Sequence, residues 1–253
     1  MKTGGRKLKL ANSEKVVFVS GSTHGIGKVV AARFVNDGYT VIQNSRNKLD
    51  NNDLLGAKHI EGDVTNYKTC LDIIESIKAE YGRLDVLVCN VGSGADLDTS
   101  ILPGERWSYF LSSNLLSCTF LVDSALQLLI KSKGNVVAVS SICGSGIIKG
   151  APVEYSVAKA ALNMYIKSMA FKHGNSGIRF NAVSPGNVMF EGSTWHNKLK
   201  KDEKQVTQYI SENVPMGAFI KPESIAEATL FLASDGSNST TGVVLNVDGG
   251  QIL

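Results

Sequence analysis

The sequence predicts an α/β fold, a doubly wound parallel sheet of about seven strands with helices on both faces. Two observations carry the prediction. Short apolar runs bounded by Gly, Asn or Ser alternate along the chain with longer helical patterns, the alternation of βαβ units. The first of these runs ends in a glycine turn, Gly21-Ser22-Thr23-His24-Gly25-Ile26-Gly27, which opens straight into an apolar helical pattern. With 253 residues, 43% of them hydrophobic, the chain can bury a core of ordinary size for one α/β domain.

The elements follow in order. Lys15–Ser20 reads as the first strand, and the helix over Gly25–Asn36 closes at Asp37-Gly38, where glycine suits a C-cap. Further strands are expected at Tyr39–Asn44, His59–Ile60, Leu84–Cys89, Asn135–Ser140, Ile178–Val183 and Val243–Asn246. Helical periodicity marks Tyr67–Tyr81, Trp107–Ser132, Glu154–Lys172 and Pro222–Ser234. Gly92–Glu105 and Asn187–Asn213 have no clear periodicity and follow strands, where ligand-facing loops of doubly wound sheets lie. Residues 1–14 are basic and Gly-containing and are expected to be a frayed tail, with 15–253 as a single domain whose segment 187–213 forms a lid.

Composition narrows the function. A net charge of +3, with Lys and Arg interspersed among acids, does not suggest nucleic-acid binding. Cys70, Cys89, Cys118 and Cys143 lie far apart with no paired histidines, so neither a disulfide framework nor a metal site is expected, and reduced thiols fit a cytoplasmic location. The apolar run Val16–Val19 is too short for a signal peptide or a membrane span.

The glycine turn has the form of a phosphate-binding site. Its glycines let the backbone turn tightly and approach a pyrophosphate that faces the helix N-terminus, although three glycines after a strand can also be a plain tight turn. Farther on, Tyr155 and Lys159 stand four apart on a predicted helix and share a face. An ammonium beside a phenol favours the ionised form, so a pKa of about 10 is expected to move toward neutrality, which suits a general acid acting on a carbonyl oxygen. By itself Tyr-x-x-x-Lys is a weak motif, since a helical tyrosine is more often packing.

Taken together these stretches resemble the short-chain dehydrogenase/reductase family, over essentially all of Lys15 to Gly250. The resemblance rests on Gly21, Gly25 and Gly27, Asp63-Val64 after the third strand, Asn90 in CNVG where the family usually has NNAG, Asn114, Ser141, Tyr155, Lys159, Pro185-Gly186 and the terminal VDGG. It implies a Rossmann-like fold and a hydride transfer between a nicotinamide and a ketone or secondary alcohol. In that scheme Tyr155 moves the proton, Lys159 lowers its pKa and holds the nicotinamide ribose, Ser141 polarises the carbonyl and Asn114 fixes a water leading to Lys159. Gly21 to Gly27, Ser45, Arg46, Asp63, Val64, Asn90, Pro185, Gly186 and Val188 are then expected to join Tyr155 and Lys159 in holding the cofactor. One extra residue between Ser141 and Tyr155, relative to many members, leaves Ser140 as a rival for the polarising role. Cys89 and Phe190 also depart from the family pattern, Phe190 replacing a Thr near the nicotinamide carboxamide.

NADP(H) is expected over NAD(H). The second strand ends in Ser45-Arg46 with no acid to accept from a ribose 2′-hydroxyl, whereas a guanidinium suits a 2′-phosphate, with His24 nearby. The lid holds Phe190, Trp195 and His196 beside Lys198, Lys200, Lys201 and Lys204, partly offset by Asp202 and Glu203, which would favour an anionic small-molecule substrate such as an acyl thioester carrier or a phosphorylated or nucleotide-linked sugar, unless these lysines are only a solvated helix face. Three readings stay open: a carbonyl reductase, a dehydrogenase acting on a sugar or nucleotide-linked sugar of surface polysaccharide synthesis, and a non-catalytic NADP-binding or scaffolding protein. The intact tetrad speaks for catalysis. Apolar residues all round Trp107–Ser132 point to burial against another copy, and the resemblance implies a homotetramer or homodimer.

Overall fold

The computed structural model describes residues 15–48, 56–94, 97–98 and 100–252; the predicted N-terminal tail lies outside them. Seven strands form one parallel sheet: β1 Val16–Val19, β2 Thr40–Ser45, β3 Ala57–Glu61, β4 Val86–Cys89, β5 Asn135–Val139, β6 Arg179–Pro185 and β7 Val244–Val247. Their order is β3-β2-β1-β4-β5-β6-β7, so the chain reverses direction across the sheet between β1 and β4 and leaves a crevice at the carboxyl ends of those strands. β1 and β4 are buried along their whole length and β5 from Val136 on, which is why they read as continuous apolar runs.

Each face of the sheet has its own core. On one side Phe18, Leu87, Val136 and Phe180 pack under α2 (Tyr67–Tyr81), α4 (Ser117–Ser132) and α5 (Val153–His173). On the other, Val17, Val41, Val88 and Val137 pack under α1 (Gly25–Asn36) and α8 (Pro222–Ala233).

Two segments differ from the sequence reading. The long helix begins at Pro103, four residues before Trp107, because Pro103 needs no donor at the first helical position and Glu105 favours the first turn. It also changes pitch. After α3 (Pro103–Leu111) one π-helical turn, Ser112–Leu116, precedes α4, a feature that apolar periodicity does not reveal. Pro103–Ser132 is long and apolar enough to cross a membrane by length and composition, but Phe110, Leu121, Val122 and Leu129 are fully buried in the fold. The second difference is the lid. Residues 187–213 are mostly helical rather than irregular, forming α6 (Thr194–Lys201) and α7 (Glu203–Asn213). Ser193 caps α6 by accepting from the His196 N–H, and Asp202 caps α7 by accepting from the Gln205 N–H; both helices are too short and polar to show clear periodicity.

Candidate active site

A cleft of about 1580 Å³ runs along the carboxyl ends of the strands, from the glycine turn to the N-terminal end of α5 and under the lid. Gly21 and Gly25 take positive φ, and a Cβ on Gly27 would lie 2.4 Å from both the Asn90 amide nitrogen and the Gly21 carbonyl. The turn is therefore closed around Asn90, whose Nδ2 donates to the carbonyls of Ser20 (3.1 Å) and Gly21 (2.9 Å). Thr23, His24, Gly25 and Ile26 line the cleft, but Ser22 does not. The Ser22 hydroxyl is buried, donates to the Val19 carbonyl at 2.6 Å and accepts from the Asn44 N–H, so Ser22 braces the turn from beneath.

At the far side of the turn Arg46 is exposed at the cleft rim. The Ser45 hydroxyl lies 2.6 Å from the Asn47 carbonyl and 2.8 Å from His59 Nε2, so it is partly engaged. Asp63 accepts from the N–H and hydroxyl of Thr65, which fixes its carboxylate at the wall beside Val64. Pro185, Gly186 and Val188 line the opposite wall. Gly186 is required there, since a Cβ would lie 2.8 Å from the Asp248 backbone, while Gly249 and Gly250 of the terminal VDGG run take positive φ of their own.

The catalytic candidates converge. Ser141 lies two residues beyond β5 and caps the short turn Ile142–Gly144; its hydroxyl accepts from the Cys143 N–H at 3.2 Å and interacts with the Tyr155 phenol. Ser140, the rival, is committed elsewhere: its buried hydroxyl donates to Asn163 Oδ1 at 2.6 Å. The Lys159 ammonium donates to the Val139 carbonyl at 2.8 Å and lies 5.8 Å from the centre of the Tyr155 ring. Tyr155 is further wedged between Phe110, at 6.3 Å between ring centres, and Gly94, where a Cβ would approach the ring to 3.1 Å. Asn114 sits in the π-helical turn, fully buried. Its Oδ1 accepts from the Ser93 N–H at 3.0 Å, while its Nδ2 donates to the carbonyls of Ser93 and Phe110. Asn114 and Lys159 flank Gly92, where a Cβ would lie 2.6 Å from Asn114 Oδ1 and 3.0 Å from Lys159 Nζ.

One electrostatic expectation is corrected. The phenol of Tyr155 is pushed up from its ordinary value rather than drawn toward neutrality, because loss of water around it outweighs the opposing hydrogen bond from Ser141. The same desolvation lowers Lys159 to about 8. Four-residue spacing brings these groups to one face, but the ammonium turns to the Val139 carbonyl and so does not offset the burial of the phenol.

Sequence reasoning missed part of the wall. Tyr209 of α7 lines the cleft, and its hydroxyl accepts from Gln251 Nε2, whose Oε1 accepts in turn from Asn187 Nδ2. This ties the lid to the end of β6 and the C-terminal segment. Trp195 stacks on Tyr209 at 5.1 Å between ring centres and packs against Phe219, so an aromatic cluster joins α6 to α7. The i and i+14 spacing of Trp195 and Tyr209 is compatible with one continuous face, but the break at Asp202 hides it. Phe190 packs its ring on Gly25, across the cleft from its own segment. Cys70, Cys89 and Cys118 are buried and free, and Cys143 is half-buried beside Ser141.

A parallel sheet with a glycine turn at its switch point and a Ser–Tyr–Lys group beside it has the layout of a dinucleotide-dependent oxidoreductase. The comparisons agree. An enoyl-(acyl carrier protein) reductase family model matches residues 21–251. The 3-oxoacyl-[acyl-carrier-protein] reductase FabG of Thermotoga maritima is 32% identical over 252 residues, covering 94% of this chain and 98% of the relative. Glucose 1-dehydrogenase 2 of Bacillus subtilis is 30% identical over 251 residues, covering 94% and 95%. The ligand-free aldohexose dehydrogenase of Thermoplasma acidophilum superposes with a TM-score of 0.83 at 32% identity, covering 94% of this chain and 93% of the other. The chain belongs to the short-chain dehydrogenase/reductase family.

Proposed function

We propose that this protein is an NADP(H)-dependent carbonyl reductase, with Tyr155 delivering the proton to the substrate oxygen, Ser141 polarising that oxygen, Lys159 supplying positive charge beside it and Asn114 ordering the backbone and proton path behind Lys159. The observation that carries it is the Ser141 hydroxyl against the Tyr155 phenol at the end of a cleft that begins at the glycine turn. The residues present fit the dinucleotide: Gly21, Gly25 and Gly27 line the cleft at the N-terminus of α1 together with Thr23 and His24, where a pyrophosphate would meet backbone N–H groups, and Asp63 and Val64 would flank the adenine. The bound nicotinamide supplies or accepts the hydride. A panel of ketones, with NADPH absorbance as readout, tests the assignment; absence of turnover of every ketone by a protein that binds NADPH would overturn it. A second reading, oxidation of a sugar hydroxyl, is favoured by the likeness to glucose 1-dehydrogenase 2 and by the polar lining of Ser93, Ser112, Ser113 and Asn187. We place the protein in the cytoplasm, since four free thiols fit a reducing compartment.

Cofactor choice turns on Arg46. Loss of one charged hydrogen-bonding partner costs about 1.5–3 kcal/mol, so Arg46→Ala is expected to weaken NADPH binding by roughly 10–100-fold and to leave NADH binding nearly unchanged. Isothermal titration of both cofactors decides it, and a wild-type protein that prefers NADH would overturn the claim.

The pH dependence follows from Lys159. Its folded value is about 8, below the ordinary 10.5, so the charge beside the reacting oxygen is lost as pH rises through about 8. The kcat/KM for reduction should hold below that pH and decline above it; an alkaline limb only near pH 10 would count against a charged Lys159 in the mechanism. Stability runs the other way. The buried ammonium is unfavourable below pH 8, and that cost fades as pH rises toward 10.5, because over this interval the unfolded chain holds the proton that the folded chain has released.

The protein is further expected to be a homo-oligomer, most simply a tetramer. Val153, Val157, Met164 and Phe171 form one exposed apolar stripe along α5, 66%, 45%, 63% and 95% exposed, and Trp107 and Leu116 add to the neighbouring helices. Light scattering should return a multiple of 27.0 kDa, and Met164→Glu with Phe171→Glu should lower it; a wild-type monomer at micromolar concentration would reject the assignment.

A further inference from the structure

We propose that the substrate is a small hydroxylated carbonyl compound bearing a phosphate or carboxylate, seated on Lys198 with Lys149 and Lys201 beside it; this deepens the reading above. The charge lining the cleft is lopsided. Among the described residues six lining groups are Lys or Arg, namely Arg46, Lys48, Lys149, Lys159, Lys198 and Lys201, against two carboxylates, Asp63 and Asp202. Both acids are occupied. Asp63 accepts from Thr65, and Asp202 caps α7.

The cations divide into two groups. Arg46 and Lys48 follow β2, at the end of the cleft where the dinucleotide's adenosine would lie, and Lys159 belongs to the catalytic group. Lys149, Lys198 and Lys201 belong to the substrate end. Lys149 lies on the segment leading to Tyr155, and Lys198 lies on the lid, its ammonium 5.1 Å from the centre of the Trp195 ring that stacks on Tyr209. Tyr209 and Trp195 line the same cleft as Ser141 and Tyr155, and Tyr209 is tied through Gln251 to Asn187 after β6, which places this part of the lid over the catalytic end.

The helix register decides between a ligand-facing and a solvated role. Trp195, Lys198, Lys201, Gln205 and Tyr209 line the cleft at spacings of three to four, whereas Lys200 and Lys204 of the same two helices do not line it. Lys198 is half-buried and fixed over an indole. No carboxylate is paired with Lys149, Lys198 or Lys201 among the described residues, so an anionic group entering this end meets available donors. The remaining walls are mixed: Ile148, Pro152 and Val206 offer carbon surface, while Ser112, Ser113 and Gln205 set hydroxyl and amide groups among them, partners for a substrate that carries hydroxyls on a short carbon chain.

The test uses full-length protein saturated with NADP⁺, which occupies the dinucleotide's own phosphate sites. Isothermal titration compares dihydroxyacetone phosphate, dihydroxyacetone, inorganic phosphate and 4′-phosphopantetheine. Dihydroxyacetone phosphate should bind at least about tenfold more tightly than the other three, and Lys198→Ala should remove about tenfold or more of that affinity, while Lys200→Ala leaves it unchanged. The chain has two tryptophans, so in Trp107→Phe the emission of Trp195 should change with the same titration and locate the site. Equal binding of the phosphorylated and neutral ketones, or equal losses from Lys198→Ala and Lys200→Ala, would overturn the proposal. So would tighter binding of phosphopantetheine, which would point to carrier-linked thioesters, or of inorganic phosphate. Turnover of Tyr155→Phe is measured separately, so failure of the catalytic assignment would show in turnover and failure of the anion site in binding.

Discussion

Replacing Tyr155 by Phe is expected to lower turnover of a ketone substrate by roughly 10²–10⁴-fold, the usual worth of a positioned general acid, with folding and NADPH affinity nearly unchanged. The ring can stay where it is. It rests edge-on against Phe110 and beside Gly94, contacts that phenylalanine keeps. What is lost is the hydroxyl that meets Ser141, and with it the proton donor. Burial that raises the Tyr155 phenol keeps it protonated over the working range, which suits donation during reduction and makes proton removal during oxidation the harder direction. Steady-state kinetics of the variant beside thermal unfolding and NADPH titration separate the effects. Wild-type turnover in the Phe variant would remove Tyr155 from the mechanism.

Gly92→Ala is expected to cost about 10²-fold in turnover, since a displacement of about 1 Å at a catalytic group has that effect. A methyl at this position would stand 2.6 Å from Asn114 Oδ1 and 3.0 Å from Lys159 Nζ. Both separations are too short for a carbon atom. Lys159 can bend away, but Asn114 is fully buried in the π-helical turn and held through both atoms of its amide by Ser93 and Phe110. The wedge therefore moves the lysine away from the Val139 carbonyl or opens the Asn114 network. Cofactor affinity at the far end of the cleft should change much less than kcat. A variant with wild-type kcat would show that the spacing of Asn114 and Lys159 does not matter to the chemistry.

The glycine turn and the Tyr155/Lys159 pair were legible in the sequence because each lies within one element, so local spacing fixes which residues meet. Strand positions were legible for a related reason: in a parallel sheet covered on both faces, strands must be apolar throughout, and runs such as Val86–Cys89 announce themselves. The family resemblance then supplied the order in which these local pieces meet. Tertiary structure decided what depends on neighbours distant in the chain. It separated Ser141 from Ser140 through Asn163, and it turned Ser22 inward beneath the glycine turn. It placed Asn114 on a π-helical turn against Ser93, and it divided the lid lysines into those facing the cleft and those facing away. The protonation of Tyr155 also belongs here. Sequence spacing gives the distance to Lys159, but desolvation depends on everything packed around the phenol, and that sum exists only in the folded chain.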